Sequence, residues 1–432
     1  MHLALNYRTV DPSHGGAETY VADLCRALVL GGHRVDLYAE RVADGCLPPE
    51  VNVVTVPAAG ATKLERLWNF ADLSEQALRH GNHDCSAGFI NTWAHDVIIP
   101  QGGVQEGSLR ANAARFATPM SRKIYRLLKM SNPKYWVHRA VEERQYDRER
   151  PARYVAVSQM VRRHLEEFHQ VPRQRVHVVP NAIDASRIDV PDPEAARREF
   201  RDRQGFAADD LLGLFVGHNF ALKGLRPLIT ALGRRHRNNP SSRPLHLVVC
   251  GGGDAAPYSR LAARLNLRHR VHFLGFYPDV RDAYWSCDFF AQPTYYDPCS
   301  LVVLEALACG LPVITTEQNG AGELMTAGKH GFILPSPNAE AQLVAALDQL
   351  ADDQKRRAMA ETARVLGRQQ TFDLHVERLL AVFDEAGRSR KARIRPRRWD
   401  RSPATAAPRA GQGARTACDQ PTERTSGREE PR

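Results

Sequence analysis

Short apolar runs recur along this chain, and between them lie longer stretches whose apolar residues fall three and four apart. Residues 3–7 are the first such run, and Val21, Leu24, Cys25 and Leu28 then mark a helix over about residues 19–29. Gly31-Gly32 ends that helix and residues 35–39 form the next run, completing a βαβ unit. Strands follow at 51–56 and 87–90 around a helix at about 64–80, and further strand ends at 154–158 and 175–179 flank a helix at about 160–168. The pattern restarts with runs at 211–217, 247–250, 271–274, 289–293 and 313–314, and helices at about 339–350, 352–369 and 372–386 close it. Strands alternating with helices predict an α/β class with parallel sheets.

At 432 residues the chain is long enough for two domains of ordinary size. No run reaches 18 apolar residues, and the first residues lack a charged leader or cleavage site, so neither a membrane span nor secretion is expected. Eight scattered cysteines without CxxC pairs suit a reducing cytoplasm and argue against a structural zinc site. The net charge of +10 is uneven, because residues 387–432 hold thirteen basic and five acidic side chains. The rest of the chain is near neutral, which removes the charge argument for a nucleic-acid binder.

The chemistry concentrates in Tyr295-Tyr296-Asp297-Pro298-Cys299-Ser300 and the apolar stretch 301–308, stopped by Gly310. Ser300 is a good N-cap, and a helix start there aims unpaired N–H groups at any ligand above it, which suits a diphosphate. Leu301 and Val302 offer those first N–H groups. Asp297 and Glu305, with seven residues between them, bracket the helix start and can accept hydrogen bonds from one ligand's hydroxyls. Gly15-Gly16 between the first strand and its helix, and Gly251-Gly252-Gly253 after a later strand, are glycine loops of the kind that let backbone approach a nucleotide. Lys223 stands where a loop enters a helix and can neutralise a phosphate.

The acid run resembles the E-x7-E signature of the retaining glycosyltransferases of family 4, which have the GT-B architecture; Asp297 stands in the place of the first Glu. Pro180-Asn181-Ala182-Ile183-Asp184 and Asn319-Gly320-Ala321-Gly322-Glu323 are similar to further landmarks of that family, and the resemblance covers about residues 1–386. Within it, Gly88-Phe89 through Asp96 and the basic segment that follows look most like lipopolysaccharide core glucosyltransferase I. The resemblance implies two Rossmann-like domains facing across a cleft: residues 1–187 on the acceptor side, 188–371 holding the nucleotide sugar, and a crossover helix at 372–386 returning to the first domain. A disordered Arg/Pro-rich tail at 387–432 is expected beyond it.

It also implies a metal-independent hexosyl transfer with retention from a nucleotide diphosphate sugar, UDP-glucose, to a glycan or glycolipid acceptor in lipopolysaccharide core or cell-surface polysaccharide synthesis. The nucleotide sugar is a co-substrate and no cofactor is expected. Lys223, Asp297, Asp96 and His95 become candidate catalytic residues, and Gly15, Gly16, His218, Gly252, Ser300, Leu301, Val302 and Glu305 the donor site. The family's usual Arg before the lysine is missing, and His218 is nearest its place. A GT-B nucleotide-sugar epimerase, or an inactive protein that docks on membrane or nucleic acid, are the alternative readings.

One segment stands apart. Residues 107–141 contain no acid but eight Lys and Arg, interleaved with Phe116, Ile124, Tyr125, Leu128 and Trp136. Basic residues among aromatics suit contact with anionic headgroups or a phosphorylated acceptor, so Arg122, Lys123, Arg126 and Lys129 are the expected acceptor or membrane surface. That places the protein in the cytoplasm, peripheral on the inner face of the plasma membrane.

Overall fold

The apolar runs assemble into two parallel sheets in a computed structural model that describes residues 1–13, 15–93, 95–240, 243–277 and 279–394. The first sheet runs Asn52–Thr55, Arg34–Ala39, His2–Asn6, Cys85–Gly88, Val97–Ile98, Arg153–Ala156, Val176–Val178. The second runs Val271–Gly275, Leu245–Cys250, Leu211–Val216, Phe289–Ala291, Val313–Thr316, Gly331–Leu334. In chain order both read 3-2-1-4-5-6, with a seventh strand on the first. The order reverses beside the first strand of each sheet, and open sheets of this kind bind ligands outside the carboxyl ends at that point.

In the first domain α1 (Gly16–Leu30) and α2 (Lys63–His80) flank the early strands. α3 (Gln105–Ala113), α4 (Pro119–Met130), α5 (Pro133–Gln145) and α6 (Gln159–His169) follow. α1 buries Tyr20, Val21, Leu24, Cys25 and Leu28 in the core, the stripe expected from their spacing. α4 is different: none of its residues is buried. The second domain opens on the helix Pro193–Gln204, where Asp192 accepts hydrogen bonds from the N–H groups of Glu194 and Ala195.

The last helix, Phe372–Ile394, runs eight residues beyond the expected stop at 386. The extra turns are held by charge: Lys391 meets Asp84 at 2.7 Å and Arg390 meets Asp96 at 3.3 Å. One turn earlier Arg153 donates to Glu385 at 2.7 Å. Basic residues assigned by composition to a tail therefore anchor this helix on the first domain as far as Lys391. Residues 395–432 of the expected tail lie outside the described residues. Among the described residues no helix is long and apolar enough to cross a membrane.

Candidate active site

The acid run leaves the second sheet through Gln292 and is pinned on every side. Gln292 donates to the Val216 carbonyl at 2.9 Å, Thr294 to Leu222 at 3.1 Å, and Thr316 to the Thr294 carbonyl at 2.7 Å. The Asp297 N–H donates to Gln318 and its carbonyl accepts from Gly320, both at 2.9 Å. A loop whose polar groups are satisfied by three neighbouring strand ends is rigid before any ligand arrives.

Asp297 is buried, and its carboxylate forms an ion pair with the Lys223 ammonium. The lysine reaches it because Gly224 turns the chain with φ +82, and a Cβ there would collide with the Pro293 carbonyl. The two residues are 74 apart in sequence and meet as a charged pair at the strand ends.

Ser300 occupies the N-cap of the helix Leu301–Ala308, but its hydroxyl donates to Gln292 Oε1 at 3.0 Å instead of capping. The first N–H groups of that helix are left without a side-chain cap. Gly15 before α1 and Gly224 before the helix Leu225–Asn238 likewise provide no side-chain cap. Thr62, Thr118, Asn132, Ser158, Asp192 and Asp352 cap their helices, while the helices that follow Val104, Ala255, Val280 and Ala339 also start without a side-chain cap. A Cβ on Gly16 would lie 3.3 Å from Leu301 Cδ1, so the start of α1 faces the start of the acid helix across the cleft. Partial positive charge from helix starts and the Lys223 ammonium thus surround one space.

Glu305 lies one turn further in. It accepts a 2.7 Å hydrogen bond from the buried Tyr284 hydroxyl on Oε2, and burial raises its pKa while that bond opposes the rise. With Thr19, Asp23, Arg187, Arg281 and Leu301 it lines a cavity of about 260 Å³ between the domains. Gly252 and His218 are neighbours on the second domain, a Cβ on the glycine falling 3.5 Å from His218 Nδ1. His218 is exposed.

Two of the expected catalytic residues do not join this group. Asp96 precedes the strand Val97–Ile98, at the amino end of the sheet, whereas the cleft is at the carboxyl ends. Its carboxylate accepts from the Ser86 N–H at 2.9 Å and hydroxyl at 2.8 Å, and it holds Arg390 of the last helix. His95 is buried under Gly88 with Nε2 3.4 Å from Asn6 Nδ2, and burial pushes its pKa down to about 3. Asp96 thus stands at the far end of the sheet, whereas the His95 ring packs inside the domain against Gly88 and Asn6, the last residues of their strands.

The first domain presents other residues instead. Val104 N–H donates to the Tyr296 hydroxyl at 3.0 Å, and Asn181 donates to the Cys299 carbonyl at 3.1 Å while exchanging two hydrogen bonds with Gln101. Glu323 of the second domain accepts from the N–H groups of Gln159 and Met160 at the start of α6. The Asn181 and Glu323 landmarks and Tyr296 of the acid run were visible in the sequence; Tyr284, Gln292 and Gln101 carried no signal there, because what each does depends on its partners in the fold. Arg122, Lys123, Arg126 and Lys129 all lie on α4, beside exposed Met120, Ile124, Leu127 and Leu128. Arg126 is partly engaged by Glu106 at 3.1 Å.

Residues 15–182 match the glycosyl transferase 4-like domain and residues 196–365 the glycosyl transferases group 1 domain. D-inositol 3-phosphate glycosyltransferase of Xylanimonas cellulosilytica is 27% identical over 408 residues, covering 88% of this chain and 94% of that protein. Lipopolysaccharide glucosyltransferase WaaG of Escherichia coli is 23% identical over 81% of this chain and 90% of its own. A crystal structure of WaaG superposes with TM-score 0.72 at 22% identity, over 88% of this chain and 99% of that one. HepE of Anabaena, solved in complex with UDP and glucose, superposes at 0.60 with 19% identity over 88% and 98%. At these identities the structures speak for the fold, which is GT-B.

Proposed function

The chain belongs to the two-domain glycosyltransferases, and on that footing we propose that it transfers a hexose from a nucleotide diphosphate sugar, UDP-glucose, to an acceptor hydroxyl with retention of configuration. The observation that carries this reading is the Lys223–Asp297 ion pair set among helix starts that no side chain caps. The helix starts and the Lys223 ammonium favour negative charge in the space between them, with Asp297 offsetting part of the lysine's charge until a diphosphate takes its place as partner, and a departing diphosphate gains charge as its bond breaks.

In this reading the bond between the hexose anomeric carbon and the phosphate oxygen breaks, and the diphosphate keeps the electron pair. The acceptor oxygen bonds that carbon on the same face, and its proton passes to the departing phosphate oxygen. Lys223 and the N–H groups of Leu301 and Val302 meet the leaving charge, so no role falls to a metal ion. Asp297 holds Lys223 in place and accepts a hexose hydroxyl, and Glu305, steadied by Tyr284, accepts the ribose hydroxyls. The acceptor approaches from the first domain and belongs to a glycan or glycolipid of the lipopolysaccharide core or another cell-surface polysaccharide. α4 brings the protein to the cytoplasmic face of the membrane that holds that acceptor.

The test is product analysis. UDP-glucose incubated with the protein and a glycan acceptor should give an α-linked product by proton NMR, with equal turnover in EDTA. A β-linked product would end the retaining mechanism, and interconversion of the free nucleotide sugar without acceptor would make the protein an epimerase.

A further inference from the structure

The chain passes between the domains twice, through residues 179–192 and again through residues 370–371. The two crossings lie side by side, with Ile183 paired in parallel to Thr371. Beside them opens a cavity of about 710 Å³, well inside the range of ligand pockets, about 300 to 1,000 Å³. Asp23, Ile183, Asp184 and Phe372 line both this space and the cavity that Glu305 lines, so one wall separates the two.

The lining is apolar at its floor and charged at its rim. α1 contributes Ala27 and Leu30, and the last helix contributes Phe372, Val376 and Leu380, an apolar stripe at helical spacing on each. Leu30 is 81% exposed, so the stripe reaches solvent uncovered. The cations of the lining are already engaged, Arg26 by Asp23 at 2.9 Å and Arg368 by Asp189 at 3.2 Å. The carboxylates are not. Asp184 receives only the Ser186 N–H and hydroxyl, and Asp373 and Glu377 are exposed and form no ion pair among the described residues. Asp373 and Glu377 stand one helical turn apart, where like charges repel across about 5–6 Å. Ammonium groups joined by a short methylene chain match that spacing, and the methylenes match the stripe.

The wall between the cavities is tied to the closed cleft. Tyr20 donates to His375 Nε2 at 2.8 Å, and His375 Nδ1 donates to the Pro180 carbonyl at 2.8 Å, at the start of the first crossing. These bonds join α1, the last helix and the crossing in the arrangement in which Asn181 and Glu323 bridge the domains.

We infer that this hinge cavity binds an aliphatic polyamine, and that the bound polyamine strengthens nucleotide binding across the shared wall. The coupling rests on the transferase reading, which makes the neighbouring cavity the nucleotide's. A ligand that fits the cavity as it stands favours the domain arrangement that builds it, and that arrangement closes the donor cleft. Coupling is reciprocal, so UDP strengthens polyamine binding by the same factor.

The test is calorimetric titration of the full-length protein at physiological salt, with spermidine in the absence and presence of saturating UDP, and with UDP in the absence and presence of saturating spermidine. Spermidine should bind at one site, and each ligand should tighten the other by at least about fivefold, the low end of ordinary coupling. Asp373→Asn combined with Glu377→Gln should remove spermidine binding while UDP alone binds as it does to wild type. Ala27→Phe, which fills the groove and keeps every carboxylate, should do the same, its fold verified by the UDP titration. No spermidine binding to wild type, spermidine binding kept by either variant, or equal binding of magnesium would overturn the site. Spermidine binding that leaves UDP affinity unchanged would overturn the coupling. A wild type that binds spermidine but not UDP would overturn the donor reading and leave the cavity assignment standing.

Discussion

Glu305 and Lys223 are where single residues are expected to matter most. Glu305→Gln removes the charge from an acceptor that Tyr284 holds in place, so the fold should survive while donor kcat/KM falls roughly ten- to a hundredfold. Unchanged kinetics would remove Glu305 from the donor site. Lys223→Ala should lower kcat more than it weakens UDP-glucose, because charge on the leaving phosphate grows only as the bond breaks. A rise in KM with kcat intact would make the lysine an anchor for the unreacted donor. At this scale the sequence was readable where residues act through spacing: Asp297, Ser300 and Glu305 follow from one loop and one helix. It did not reveal that Asp96 stands at the amino end of its strand, since adjacency in a loop does not say at which end of a strand the loop finishes. It was silent about Ser300's true partner, because Gln292 had no reason to be singled out.

Individual elements carry the next expectations. The turn at Gly224 fixes where Lys223 enters the helix Leu225–Asn238, and Gly224→Ala combines positive φ with a collision against Pro293. A loss of about 1–3 kcal/mol or more, seen in urea unfolding, is expected, and an unchanged midpoint would mean that the turn relaxes freely. α4 couples Arg122, Lys123, Arg126 and Lys129 to an exposed apolar face, so it offers charge and shallow insertion together. Each basic residue near an anionic leaflet contributes about 1 kcal/mol. Changing all four to Ser should abolish sedimentation with anionic vesicles, whereas deleting residues 395–432 should leave it intact. Loss with the deletion and retention in the quadruple variant would move the membrane contact to the tail. The deletion must begin after Ile394, because Arg390 and Lys391 hold the last helix to Asp96 and Asp84. Local composition made those residues look like tail; their partners lie 294 and 307 positions away, beyond what a window of sequence reports.

For the molecule as a whole, buried histidines set a pH limit. Burial pushes His83, His164, His272 and His375 to about 4 and His95 to about 3, from an ordinary value of 6.5. The folded state holds them neutral while the unfolded chain takes up protons near 6.5. Stability is therefore complete above that pH and falls as pH drops toward 4, by up to about 1.4 kcal/mol per unit for a fully buried ring and less for the partly exposed ones. Tm should decline between pH 6.5 and 4.5, and a flat or rising profile would contradict this. The two-sheet plan was legible because strand and helix periods alternate throughout, while the contacts joining the domains were not, since Asn181 to Cys299 or Glu323 to Gln159 link segments far apart in sequence. The central claim is that this closed cleft gathers positive charge for a diphosphate. Calorimetric titration with UDP and with uridine, in wild type and in Lys223→Ala, tests it most directly. UDP should bind wild type at least about tenfold more tightly, a difference of about 1.4 kcal/mol, and the variant should lose most of that advantage. Equal affinity for UDP and uridine, or an advantage that the variant keeps, would contradict it.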